Sequence, residues 1–269
     1  MTDSTRWLRT LLDQADPPTT GHRSQAAWDP PLDVLVRLDP ITTAPDPDVI
    51  AAAIVYARRR HAEAEPQLLW ARYASTAART LWDKAHPTAI RASMTYHNVL
   101  IRQGLTFDAV RIRQDQLDMY RELGDPTRIL AARCGLALAL HRDGQCDTAE
   151  EQIRLVLRQW WGSPHGYGHA SMVLLVAASI HAGCGRTTEA RQLLTRDAVH
   201  LAHLNPRDRH LAAQWLATVA VTHPTGCSLR APETPLVPDD DARRAFWSGF
   251  WLGALRSCPT DDGRRRAAS

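Results

Sequence analysis

Two histidines four residues apart, His165 and His169 in HGYGH, have the spacing at which one helix face can offer two imidazoles to a metal ion. The glutamate of an HExxH site is missing, no third ligand accompanies the pair, and Gly166 and Gly168 weaken the helix that would hold it. The run GCGRTT from Gly183 has the glycines and hydroxyls of a phosphate loop. It lacks the GxxxxGK[ST] order, however, and it follows a helical pattern where a phosphate loop follows a strand. Adjacent carboxylates occur at Glu150-Glu151, Asp239 to Asp241 and Asp261-Asp262, and all read as solvated helix starts or tail. No serine sits in a GxSxG elbow. The five cysteines, Cys134, Cys146, Cys184, Cys227 and Cys258, are odd in number and form no CxxC. They read as small buried hydrophobes, with neither a disulfide nor a metal role expected. His141, and the pair His200 and His203, fall at helix ends, where they can cap carbonyl groups. The chemistry left is a grip: Asn98 and Arg102, one helical turn apart, can aim an amide and a guanidinium at one ligand segment. The expectation is a non-enzyme with no metal and no cofactor.

The totals agree with a soluble binding protein. The chain has 269 residues, 44% hydrophobic and 23% charged, enough for a sizeable core. A net charge of +3 is too small to imply direct contact with nucleic acid. Lys84 is the sole lysine, and this arginine-rich, alanine-rich usage looks like GC-rich bacterial coding. The N-terminus is polar, with Asp3 early, and no apolar run approaches the roughly 20 residues of a membrane span, so a cytoplasmic location is expected.

The elements that would position the grip are written as a period. Proline recurs at 47, 87, 126, 164 and 206, each following Asp46, His86, Asp125, Ser163 or Asn205; all but His86 are good N-caps. In phase with this, Gly-x4-Ala recurs as Gly104–Ala109, Gly144–Ala149, Gly185–Ala190 and Gly226–Ala231, at intervals of 40, 41 and 41. The glycine turns the chain and the small alanine lets a second helix press on the first. The stretch Asp125 to Trp161 shows the unit best. Ile129, Ala132, Leu136, Ala139 and Leu140 line its first helix, and Ala149, Ile153, Val156, Leu157 and Trp160 its second. In the preceding units Leu68, Leu69, Tyr73, Ala77, Leu81 and Trp82, then Phe107, Val110, Leu117 and Tyr120, are expected to line the second helices.

This pattern resembles the tetratricopeptide-repeat (TPR) family, in a longer-period bacterial variant. Leu136, Ala137, Leu140, Gly144, Ala149, Ile153 and Val156 stand at its small and apolar positions, while Arg133, Arg113 and Gln116 depart from it. The resemblance covers about Pro47 to Ala231. It implies an all-α, right-handed superhelical solenoid of about five helical hairpins. Residues 1–46, with an amphipathic helix at 4–15 and seven of the 17 prolines between Pro17 and Pro47, are expected to cover the first repeat; a latch in the groove is the alternative. The repeat domain spans 47–258 and ends in a capping helix after Asp239 to Asp241; 259–269 forms a basic disordered tail. The aromatic stripe Phe246, Trp247, Phe250 and Trp251 on that last helix could instead serve a homodimer.

In the family the first helix of each hairpin lines the concave surface. Carried over, this places Arg91, Met94, Asn98, Ile101 and Arg102 in the groove from the second unit. Cys134, Leu138, His141 and Arg142 join them from the third, and Met172, Leu175 and Ser179 from the fourth. Asn98 and Arg102 resemble part of the family's carboxylate clamp, with Met94 where a basic residue is expected. The implied function is an adaptor, scaffold or regulatory partner that holds a protein or peptide, acidic in character, in its groove. The alternative is a ligand- or peptide-sensing module controlling a transcription regulator; with no helix-turn-helix before Pro47, it would act through another chain.

Overall fold

The computed structural model describes residues 32–59, 62–161, 170–197, 201, 204, 206–221, 249, 251–253 and 255. Its helices are α1 (Asp33–Val36), α2 (Pro47–Ala57), α3 (Ala64–Leu81), α4 (Pro87–Arg102) and α5 (Thr106–Glu122). They continue with α6 (Pro126–Arg142), α7 (Cys146–Trp161), α8 (Ala170–Gly183), α9 (Thr187–Arg196) and α10 (Pro206–Val221). Residues 249, 251–253 and 255 are also helical. No described residue lies in a strand, so the protein is all-α over this range. Among the described residues no helix is long and apolar enough to cross a membrane. The helix expected at 4–15, the histidines His165, His169, His200 and His203, the Gly226–Ala231 turn and the tail 259–269 lie outside the described residues.

The periodic proline and glycine marks act as the sequence reading requires. Asp46 accepts from the backbone N–H groups of Asp48 and Val49, and Asp125 accepts from that of Arg128, each with proline next in line. His86, the poor cap by residue type, does the same job through Nδ1, which accepts from the Thr88 N–H at 3.2 Å. Gly104, Gly144 and Gly185 all have positive φ, at 73°, 82° and 80°. Around each the same pair of hydrogen bonds closes the helix. Leu105 N–H donates to the Leu100 carbonyl and Gly104 N–H to that of Ile101; Gln145 and Gly144 repeat this on Leu140 and His141, and Arg186 and Gly185 on His181 and Ala182. The alanines five residues on, Ala109, Ala149 and Ala190, are fully buried.

At Gly104 a Cβ would meet nothing within 4 Å, so only the left-handed backbone requires glycine there. Gly104→Ala is therefore expected to lower stability by about 1 kcal/mol, with Gly104→Asn costing less, because an αL residue carries a steric penalty that Asn tolerates better. A urea midpoint that falls with an unchanged m value would report this; an unshifted midpoint would refute it.

The chain divides into two compact units, one ending at Leu123 and the other resuming at Gly124. In the first, α2 and α3 form a hairpin, α4 and α5 form the next, α4 packs on both α2 and α3, and α1 lies on α2. Leu35 of α1 is buried in the same apolar cluster as Ile50, Ala53, Trp70 and Tyr73, with Leu32 and Leu38 against it. The Tyr73 hydroxyl donates to the Ala44 carbonyl at 2.8 Å, so the described end of the proline-rich segment is fastened over the first hairpin. In the second unit, α6 and α7 form one hairpin and α8 and α9 another; α8 packs on α6, α7 and α10. Its core includes Ile153, Val156, Trp160, Leu174, Leu175, Ile180 and Leu194.

On two second helices the expected face is met in part: Tyr73, Ala77, Leu117 and Tyr120 are buried as expected, and other positions are not. On α3 the buried positions are Trp70, Ala71, Tyr73, Ala74, Ala77 and Ala78, while Leu81 is exposed and Leu68 and Leu69 are only half-buried. Trp70 fills the space assigned to the leucines and meets Tyr73 edge-on, with ring centroids 5.5 Å apart. On α5, Phe107 is 64% exposed, because the buried position in the first turn belongs to Ala109.

Candidate functional site

Helix α4 presents the stripe proposed for the groove. Arg91 and Arg102 are exposed and Met94, Asn98 and Ile101 are partly exposed, whereas Ala92, Thr95, Val99 and Leu100 between them are buried. These five therefore share an accessible face, but two are already engaged. The Arg102 guanidinium donates to the Ala57 carbonyl at 2.8 Å, satisfying the C-terminal end of α2. Arg102 is thus a cap for the neighbouring hairpin, and the Asn98–Arg102 grip read from the spacing is not formed as such.

Met94 Sδ accepts from Arg113 Nη1 at 3.1 Å. Arg113 belongs to a polar patch inside the α4–α5 hairpin, at the positions where the repeat pattern expects apolar residues. Its Nε donates to His97 Nε2 at 3.3 Å and its Nη1 to Gln116 Oε1 at 3.1 Å. His97 is buried, and its Nδ1 faces the Ala109 carbonyl at 3.1 Å. A carbonyl can only accept, so Nδ1 carries the proton and Nε2 offers its lone pair to Arg113. The arginine and the glutamine are accommodated by bonding to each other and, through Arg113, to His97 and Met94.

The second unit holds the other expected groove residues, and most are not at a surface. Met172, Leu175 and Ser179 on α8 are fully buried, and the Ser179 hydroxyl donates to the Val176 carbonyl. They belong to the core, so their assignment to an open groove is corrected. The cause is α8 itself, buried from Ser171 to Ile180 because α6, α7, α9 and α10 all pack on it. A helix that is apolar all round is a central one. Leu138 is half-buried against this core and Arg142 is half-buried, with burial holding its guanidinium below its ordinary pKa. Cys134 is buried and its thiol is pushed up to about 12 by desolvation, which keeps it neutral and inert. Trp251 is fully buried within the chain's own core and cannot form part of a dimer face in this conformation. Phe246, Trp247 and Phe250 lie outside the described residues.

His141 does more than end a helix. It is buried in the last turn of α6, with Nε2 at 3.4 Å from Cys184 Sγ. Cys184 follows the end of α8, and Cys146 opens α7. One donor atom from each of His141, Cys146 and Cys184 lies within 4.8 Å of the other two, and all three residues are buried. Beside them Arg186 makes a two-pronged pair with Glu150, Nη1 to Oε1 at 3.0 Å and Nη2 to Oε2 at 2.8 Å. The Arg186 hydrogen bonds hold the Glu150 carboxyl below its usual range, against the opposing effect of burial. His181 also faces this pair. Burial first, and the Arg186 charge second, lower its pKa to about 4.

Sequence reading missed this cluster because no short motif contains it. The available signal was the repeat register: the turn at Gly144 and the turn at Gly185 are equivalent, and packing of α8 on α6 and α7 brings their flanks together.

In the first unit a cleft of about 330 Å³ opens between the end of α3, the start of α4 and the end of α5. Ile90 and Met119 contribute apolar lining, and Arg79, Lys84, Asp115 and Glu122 contribute charge of both signs. Arg79 pairs with Asp115 at 3.4 Å, and Lys84 pairs with Glu122. No family model matches the chain, nor does any curated protein or solved structure.

Proposed function

We propose that the protein is a non-catalytic, TPR-like helical-hairpin repeat protein that binds a protein or peptide segment along the α4 face. The observation that carries this reading is the accessible stripe of Arg91, Met94, Asn98 and Ile101 on a helix whose opposite side is buried. Its support is the packing order: first helices stack on first helices, α2 with α4, α6 with α8, and α8 with α10, as repeated hairpins do. The stripe offers one exposed cation, one amide and two apolar side chains. That suits a segment with an acidic group and an apolar anchor.

The test combines Arg91→Glu with Asn98→Ala and leaves Arg102 intact, since Arg102 supports α2. Calorimetry against a partner isolated with the wild-type protein is expected to show at least tenfold weaker binding, roughly 1.4 kcal/mol or more, at an unchanged melting temperature. Undiminished affinity would remove the α4 assignment.

A second reading, a regulatory module that senses a small molecule and acts through a transcription regulator on another chain, rests on the cleft between α3, α4 and α5. Its volume falls at the lower end of the range for small-ligand sites.

A further inference from the structure

The geometry points to a zinc site formed by His141, Cys146 and Cys184, at the junction of two successive hairpins. Zinc takes soft sulfur and imidazole nitrogen ligands in a tetrahedral arrangement. With Zn–S of about 2.3 Å and Zn–N of about 2.05 Å, a tetrahedral ion separates N from S by about 3.6 Å and S from S by about 3.8 Å. A trigonal ion requires about 3.8 Å and about 4.0 Å for the same bond lengths. His141 Nε2 stands 3.4 Å from Cys184 Sγ, a hydrogen-bond contact close to the N–S spacing around zinc, and all three donor atoms lie within 4.8 Å of one another. Closing the site requires donor atoms to approach one another by about 1 Å at most.

Burial and charge favour the same ion. The three residues are 1%, 2% and 0% exposed, so a net charge left there would be poorly solvated. Binding releases two thiol protons to solvent; two thiolates, one neutral imidazole and Zn(II) then sum to zero. Cu(I) with the same ligands would leave one negative charge. Arg186, paired with Glu150, also lies near enough to Cys184 for its charge to favour the thiolate. Cys146 stands in the first turn of α7, where the positive end of the helix dipole favours a thiolate. The trio supplies three corners, and a small exogenous ligand such as water takes the fourth. The ion fastens the end of α6, the start of α7 and the end of α8 together, joining the turn of one hairpin to that of the next. At the described turn of Gly104 the left-handed glycine and the backbone hydrogen bonds of Leu105 and Gly104 do this closing.

Co(II) as a spectroscopic stand-in, followed by displacement with Zn(II), tests this on the reduced full-length protein. The expected result is one equivalent bound, with intense thiolate-to-cobalt charge transfer and tetrahedral d–d bands, both erased by one equivalent of Zn(II). Cys146→Ser with Cys184→Ser should weaken Zn(II) at least 100-fold against a chromophoric chelator, whereas Cys227→Ser with Cys258→Ser should leave it unchanged. The wild-type spectrum stands as evidence even if the first double variant fails to fold. No stoichiometric binding, a cobalt spectrum without thiolate charge transfer, tight binding of Cu(I) with none of Zn(II), or loss of the site only in the Cys227/Cys258 variant would each overturn the assignment.

Discussion

Trp251→Ala is expected to destabilise the second unit by about 4 kcal/mol, the range measured when a large aromatic is removed from a packed core. Trp251 has no exposed surface and belongs to the cluster that contains Leu174, Leu194, Leu216 and Leu255. The late helix that carries it is also held by a charge. Arg209, itself buried on α10, donates from Nε to the Leu204 carbonyl at 2.8 Å and from Nη1 to the Leu255 carbonyl at 2.6 Å. A guanidinium bound to two main-chain carbonyls gives buried acceptors the partners they would otherwise lack. Trp251 and Leu255 therefore share one apolar core with residues of α8 and α10. Chemical unfolding should show a lower midpoint in the variant, with a melting temperature independent of protein concentration in both proteins. A concentration-dependent melting temperature in the wild type, abolished by the substitution, would instead place Trp251 at a contact between copies. A dimer contact through Phe246, Trp247 and Phe250 remains a proposal of its own.

Much of the fold was legible because its punctuation is chemical and local. Asp-Pro starts a helix and glycine at a left-handed turn ends one, whatever the neighbours do, so the starts of α2 and α6 and the turns at 104, 144 and 185 could be read from spacing. Helix faces were legible where one residue class dominates, as on α7, where Ala149, Ile153, Val156, Leu157 and Trp160 are all buried. They were legible only in part on α3 and α5, where Tyr73, Ala77, Leu117 and Tyr120 are buried as expected. There alanine, a weak hydrophobic signal, takes the positions of closest helix approach and leaves Leu81 and Phe107 outside. The candidate site suffered from a different ambiguity. A run such as Met172 to Ile180 is apolar on every side, and periodicity alone does not say which helix becomes central. Arg102 looked free because its acceptor, the Ala57 carbonyl, is a main-chain atom 45 residues away that no side-chain pattern records. The zinc ligands come from three helix ends, so they too become visible only once the hairpins are stacked.

The stability of the second unit should fall between pH 6.5 and pH 4, and His181 should be the main cause. Its Nδ1 is buried without a hydrogen-bond partner, and Arg186 adds a positive charge nearby. Glu150 works in the other direction, but its two oxygens are already claimed by Arg186. The folded protein therefore holds this imidazole neutral down to about pH 4, while the unfolded chain takes up the proton near pH 6.5. Because the unfolded state binds more protons in that window, stability rises with pH there and is lost as pH falls. The full effect approaches about 3 kcal/mol near pH 4, from 1.36 kcal/mol per pH unit. Glu150 contributes separately and at lower pH. Its carboxyl is held below the ordinary range, so its support is present above that range and lost only as pH falls through the folded value. Measured with a chelator present to exclude bound metal, wild-type melting temperatures should drop from pH 7 to pH 4.5, and those of His181→Gln should drop less. Parallel curves would mean that the ring reaches water or moves away from Arg186 as it charges. An imidazole whose Nδ1 is buried without a partner, under the charge of an arginine that Glu150 holds in place, is costly to protonate.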